Sequence, residues 1–296
     1  MKTILVTGAN GQLGKCLQKL APQFERRYNF HFAGSDEVDI TNPDSIEEIW
    51  QEIRPQYCIN AAAYTAVDLA EEEQEKAFAV NAGGVANLAE ICRKYRTTLI
   101  HVSTDYVFNG ESEISYSEDN FTDPQSVYGA SKRAGEEAAL EIQPQTMILR
   151  TSWLYSEFNK NFVKSMLHLF SVKDELGIVA DQYGQPTNAN DLAAVIMEII
   201  GSERKTYGIF HFSNSSETTW FEFATAIAKL SDAKINIKPI TTADYPTAAK
   251  RPRRSTMALD KIEEAYGIQS RHWEYALEDC LEELKTAEAC YACSLS

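Results

Sequence analysis

The opening stretch MKTILVTGANGQLG restricts the fold more than any other part of the chain. An apolar run suited to a strand, residues 3–7, meets glycine at Gly8, Gly11 and Gly14. Behind them Leu13, Leu17 and Leu20 share one face of a helix over 12–20. A strand turning sharply into a helix needs a residue without Cβ at the bend. A second glycine lets backbone N–H groups reach an anion at the helix N-terminus, and a third lets the helix pack close. The spacing is GxxGxxG rather than GxGxxG, but strand, turn and helix together predict the pyrophosphate-binding first unit of an open α/β sheet.

The alternation continues. Phe30, Phe32 and Ala33 mark a second strand, and Asn42-Pro43-Asp44 starts a helix that Pro55 stops. Residues 58–63 and 98–104 read as buried strands, with helices over about 68–80 and 83–95 between them. A long helix over 126–142 and a strand over 146–153 follow. Near-continuous apolar strands between helices predict a Rossmann-type, doubly wound parallel sheet. After residue 155 the rhythm loosens: helices over 161–170 and 218–230, a strand over 207–214, and a turn-rich segment over 231–258. The expected organisation is a nucleotide-binding domain over 1–154 and a smaller C-terminal substrate lobe over 155–296, with segments able to cross back.

Tyr128 and Lys132, in VYGASK, stand at i and i+4 and share one helix side. An ammonium beside a phenol favours the phenolate and makes the tyrosine a better proton donor to a carbonyl oxygen. Ser103 and Thr104 end a parallel strand, the edge where such sheets hold ligands. Glycine turn, strand-end hydroxyl and Tyr/Lys helix converge on nicotinamide-dependent carbonyl reduction or its reverse. Asp36 and Asp39 follow the second strand, where an acid can meet a ribose hydroxyl. Lys15, Arg26 and Arg27 leave NADH against NADPH open. Trp153 offers either core packing or a flat wall for a sugar or base, and Arg251, Arg253 and Arg254 form a basic island suited to a diphosphate. His101 lies within a strand and reads as a core histidine.

The formal charge of −15 opposes binding to nucleic acid, and no apolar run is long enough for a membrane helix. The six cysteines are too scattered for a disulfide scaffold, which fits a cytoplasmic location. Cys290 and Cys293 form a lone CxxC without a partner motif, so no metal site is assigned.

The motifs GANGQLG (8–14), NAAAYTAVDLAE (60–71), STDYVFNG (103–110), YGASKRAGE (128–136), RTSWLY (150–155), DQYGQPT (181–187) and RPRRS (251–255) resemble the extended short-chain dehydrogenase/reductase superfamily, and within it the dTDP-4-dehydrorhamnose reductases. The resemblance implies an oxidoreductase of dTDP-rhamnose synthesis, a route to cell-envelope polysaccharide. Its NADPH or NADH would lie against Asn10, Gly11, Gln12 and Leu13 at the pyrophosphate and Asp39 and Ile40 at the adenosine. Ala61, Ala62, Ala63, Tyr64, Thr65, Asn81 and Val102 would line the rest, with Tyr128 and Lys132 at the nicotinamide ribose. A dTDP-sugar would meet Thr104, Asp105, Tyr106, Trp153, Arg251 and Arg254. Thr104, Tyr128 and Lys132 would be catalytic, with Thr104 donating to the reacting oxygen. The same scaffold also serves nucleotide-sugar epimerases and catalytically silent NAD(P)-binding subunits. A homodimer is compatible with the resemblance; a Mg2+ link through Glu278, Asp279, Glu282 and Glu283 is the less favoured form, since acidic helix faces are usually solvated.

Overall fold

The structure is a computed structural model that describes residues 1–202 and 204–294, the last seven of these by backbone alone. Its strands β1 (Lys2–Thr7), β2 (Tyr28–Ala33), β3 (Tyr57–Asn60), β4 (Thr98–Thr104) and β5 (Thr146–Thr151) pair in parallel, and Gly208–His211 adds a sixth. The order across the sheet is Gly208–His211, β5, β4, β3, β1, β2. The chain winds outward from β1 to β2, then returns to β3 on the other side of β1. That reversal opens a crevice at the C-terminal ends of β1 and β3.

Alternation along the strands sends side chains to two cores. Ile4 and Val6 of β1 pack with Leu13 and Leu17 of α1 (Gln12–Leu20) and with the helix Ala189–Gly201. Leu5 of the same strand packs with Trp50 of α2 (Pro43–Ile53) and Leu88 of the helix Gly84–Tyr95. Asn42 caps α2 by accepting from the Asp44 N–H at 3.0 Å, with proline in the first turn. A third cluster, with Tyr155, Met166, Phe223 and Trp273, forms the core of the lobe beyond the sheet.

The chain returns from that lobe to the sheet. The helix Ala189–Gly201 covers α1, Gly208–His211 extends the sheet beside β5, and Ile262 and Ile268 join the first core. The helix expected over 68–80 is two short turns, Val67–Ala70 and Gln74–Phe78. A π-helical turn, Ala79–Gly83, then runs into Gly84–Tyr95. The strand expected to 153 stops at Thr151, because Trp153 takes a left-handed backbone with φ 45°. The Cys290–Cys293 pair lies outside the residues whose side chains are described. No helix among the described residues is long and apolar enough to cross a membrane.

Candidate active site

The crevice at the strand ends has a volume of about 770 Å³. Its floor begins at the glycine turn. Gly8 has φ +69°, and a Cβ there would lie 2.5 Å from the Ala62 nitrogen. Only glycine lets β1 turn this tightly against the end of β3. At Gly14 a Cβ would lie 2.5 Å from the Ala9 carbonyl oxygen, so this residue lets α1 sit close on the turn. Gly11, Gln12 and Leu13 line the crevice, and Gly11 caps α1 without any side-chain acceptor, leaving the first N–H groups of the helix turned to it. Ala61, Ala63 and Thr65 line it from the end of β3, and Val102 through Tyr106 from the end of β4. Two buried polar atoms at this edge, Ser103 Oγ and Asp105 Oδ2, have no partner in the protein. A tight glycine turn, an open helix start and unpartnered strand-end oxygens fit a dinucleotide with its sugar substrate.

Tyr128 and Lys132 enter from the helix Val127–Ile142, which Ser126 caps by accepting from the Gly129 N–H at 3.1 Å. Burial pushes the Tyr128 phenol up to about 12, partly offset by the Thr104 side chain, while Asp105 pushes the same way as burial. Lys132 is 2% exposed. Burial pulls it down to about 8 against the field of Glu136. Its Nζ donates to the Val102 carbonyl at 2.7 Å and lies 3.3 Å from His101 Nε2. The expected Lys132 field on Tyr128 is therefore not what governs that phenol in this structure; the ammonium end is turned to β4. Thr104 also differs from expectation: its hydroxyl donates to Asp105 Oδ1 at 3.0 Å and accepts from the Tyr106 N–H at 3.2 Å. Burial raises Asp105 to about 6, with the Ser255 and Thr104 hydroxyls pulling it back. The Tyr106 ring meets Tyr128 edge-on at 5.7 Å.

Trp153 also lines the crevice. Its ring stacks on Trp220 at 3.5 Å between centroids and 8° between planes. Trp220 was not singled out from the sequence as a site residue; it starts the helix Trp220–Leu230 of the distal lobe, and only the fold brings it to Trp153. Asn161 and Phe162 are likewise part of the wall and were not foreseen. A neighbouring cavity of about 410 Å³ shares Phe162 and Trp220 and extends to Tyr245 and Arg251.

Several expected contacts are directed elsewhere. Asn81 is buried, and its amide is satisfied by the Tyr64 N–H at 2.8 Å, the Tyr64 carbonyl at 3.0 Å and Ser131 Oγ at 3.0 Å. It ties the Tyr64 loop to the Tyr128 helix rather than facing the crevice. Tyr64 itself donates to Glu73 at 2.8 Å. Asp39 accepts from the Thr41 N–H at 2.9 Å and closes its own turn, and Ile40 is buried against Gly84. Just past the end of β2, Asp36 and the Asn10 side chain both lie against Gly34. Arg251 makes a two-pronged pair with Asp68 at 2.7 and 3.0 Å, and Arg254 pairs with Glu217 at 2.6 Å. Neither arginine lines the main crevice; the basic island is held by neighbouring acids. At the far end of the chain Asp279 pairs with Arg271 and Glu283 with Lys19. Among the described residues no group of three or more His, Cys, Asp and Glu side chains is placed to hold a metal ion.

The family described as the RmlD substrate binding domain matches residues 1–286. The dTDP-4-dehydrorhamnose reductase of Aggregatibacter actinomycetemcomitans is 44% identical over 289 residues, covering 94% of this chain and 98% of its own. The crystal structure of dTDP-4-dehydrorhamnose reductase from Bacillus anthracis in complex with NADP superposes with a TM-score of 0.92 at 39% identity, covering 96% of this chain and all of the other. The corresponding protein of Clostridium acetobutylicum gives the same TM-score at 37% identity, covering 96% and 99%. This likeness runs through fold and sequence alike along nearly the whole length, and the chain belongs to the dTDP-4-dehydrorhamnose reductases, NAD(P)-dependent oxidoreductases of the short-chain dehydrogenase/reductase superfamily.

Proposed function

We propose that the protein reduces the C4 keto group of dTDP-4-dehydro-6-deoxy-L-mannose to give dTDP-L-rhamnose, with Thr104, Tyr128 and Lys132 as its catalytic residues. The observation that carries this reading is the meeting of Tyr128, Lys132 and the Thr104–Asp105 pair at one crevice, between the glycine turn and the Trp153–Trp220 wall. The bound nicotinamide cofactor supplies the hydride. Tyr128 is a phenol at neutral pH, so it holds the proton that the developing C4 alkoxide needs. Thr104 must turn its hydroxyl from Asp105 toward the sugar to donate to the same oxygen. The stacked tryptophans give the deoxysugar a flat apolar face, and the adjoining cavity beside Arg251 has room for the nucleotide. In this reading residues 1–154 hold the cofactor and the lobe within 155–296 holds the sugar.

The preferred cofactor in this reading is NADH. Asp36 and the Asn10 side chain both lie against Gly34, just past the C-terminal end of β2, and a carboxylate at that strand end would repel a 2′-phosphate while suiting a 2′-hydroxyl. Arg26 and Arg27 precede β2 and so stand at the opposite edge of the sheet. Asp36→Ala is expected to cost NADH affinity and gain NADPH affinity, each about tenfold; unchanged dissociation constants for both would remove Asp36 from the selection.

The test of the reaction is oxidation of NADH and NADPH with the 4-keto sugar nucleotide formed in place, followed by identification of the product. dTDP-L-rhamnose with consumption of one cofactor per sugar supports the proposal. Cofactor binding without turnover would overturn it.

A further inference from the structure

Behind Lys132 a line of buried polar groups crosses three strands at one register. Thr7 of β1 stands opposite Asn60 of β3, and Asn60 opposite His101 of β4. The Asn60 side-chain oxygen accepts from the Ala62 N–H at 3.1 Å and from the Thr7 hydroxyl at 2.7 Å. A backbone N–H can only donate, so the atom it meets is the amide oxygen, and the amide nitrogen faces His101. That nitrogen lies 3.0 Å from His101 Nδ1. It too can only donate, so Nδ1 is the bare acceptor and the proton of the neutral ring sits on Nε2. A second ring proton is disfavoured, because burial and then the nearby Lys132 hold His101 well below its ordinary value. Nε2–H therefore points at Lys132 Nζ, 3.3 Å away. An ammonium would meet that donor with another donor. A neutral amine accepts it with its lone pair and still donates to Val102.

We propose that His101, oriented by Asn60, is a positioning residue that keeps Lys132 a neutral amine at mildly alkaline pH in the cofactor-free protein, and that docking of the dinucleotide is accompanied by uptake of one proton from solvent onto Lys132. The proposal rests on the reading of the crevice as the cofactor site. Burial already sets Lys132 to about 8, and the Nε2–H donor acts in the same direction. The titratable groups around it are few. Glu136, on the same helix, is closed by Arg150 of β5 at 2.6 Å. Tyr128, one turn back, is a phenol; Asp105 comes from the segment after β4; His101 is neutral. The π-helical turn brings Asn81, which carries no charge. An anionic dinucleotide adds negative charge and hydroxyl acceptors, and so raises the proton affinity of the amine. The sign follows: binding favours the protonated lysine, so NADH affinity is level below about pH 8 and falls up to about tenfold per pH unit above it.

The experiment is calorimetric titration of the whole protein with NADH near pH ~8.5, in two buffers of different ionisation heat, which counts protons taken up. The wild type is expected to take up most of one proton. Asn60→Asp reverses the chain: its carboxylate can only accept, so the ring carries its one proton on Nδ1, Nε2 becomes an acceptor, and Lys132 stays an ammonium. Uptake should then vanish and the affinity become level across the same range. Equal uptake in both proteins, or NADH binding to the wild type without uptake, would overturn the proposal. No NADH binding at all would overturn the reading of the crevice with it. The 15N NMR spectrum of the wild-type histidines reads the tautomer without any substitution. An Nε2–H ring at His101, assigned apart from the equally buried His211, supports the proposal, and an Nδ1–H ring at His101 overturns it.

Discussion

Tyr128 and Asp105 are both held away from their ordinary proton affinity by burial, and each leads to a separate test. Tyr128→Phe removes the proposed proton donor and little volume. Its kcat should fall about 10²–10⁴-fold while the NADH dissociation constant stays within about twofold; an equal loss in cofactor binding would make Tyr128 a binding residue only. Asp105 holds its proton up to about pH 6 in the folded chain, whereas its ordinary value is 3.8. The folded state then binds more protons between these two values, so stability falls as pH rises through the window and stays low above it. That rise corresponds to about 3 kcal/mol. Asp105→Asn should therefore melt higher than the wild type at neutral pH and close to it near pH ~4, while losing activity. Identical melting curves at both pH values would show that the carboxylate is not held as described. That Tyr128, Lys132 and Thr104 line one crevice was legible, because helix spacing and a strand end fix their directions. The partners of Asn81, Thr104 and Arg251 were not, since each is decided by a neighbour distant in sequence or by a rotamer.

At the scale of elements, the Tyr128 helix is locked to β5 by Arg150 and Glu136, whose side chains are each 3% exposed. The guanidinium makes three contacts with the carboxylate, at 2.6, 2.9 and 3.2 Å, and lies over the Phe108 ring. Arg150→Met would leave Glu136 buried without a partner, and the expected cost is about 3–5 kcal/mol in urea unfolding. Adding Glu136→Leu should recover most of it, because the burial penalty leaves with the charge. A double variant no more stable than the single one would mean that the pair is needed for packing itself. Both residues stand inside motifs visible in the sequence, YGASKRAGE and RTSWLY, yet nothing in either motif says that they meet. The main strands and α1 were readable because apolar periodicity and the glycine turn agree with the tertiary contacts. The broken helix over 68–80 was not: its periodicity is helical, but the clamp of Asn81 on the Tyr64 backbone imposes a π-helical turn.

For the molecule as a whole, the glycine turn is bound to the segment that leaves the sheet for the distal lobe. Gln12 Oε1 accepts from Asn161 at 3.0 Å and from the Ser156 hydroxyl at 3.1 Å. Asn159 donates to the Asn10 carbonyl at 2.8 Å and accepts from Lys15 at 2.8 Å. Residues read from the sequence as pyrophosphate contacts thus also fix where the opposite wall begins, since Asn161 and Phe162 line the same crevice as Gln12. That dual use was hidden in the sequence, because the two segments lie about 145 residues apart in the chain and meet only through the crossover of β5. It leads to a test that separates a local contact from a link between the two halves. Gln12→Ala removes these two acceptor bonds and a long donor bond to the Leu154 carbonyl, which costs only about 1–2 kcal/mol of folding stability. If Gln12 sets the relative position of turn and wall, NADH affinity and the KM for the sugar nucleotide should both weaken, each about fivefold to tenfold, with kcat lowered as well. A change confined to NADH affinity would reduce Gln12 to a nucleotide contact, and the wall would then be held by the lobe's own core around Tyr155 and Phe223.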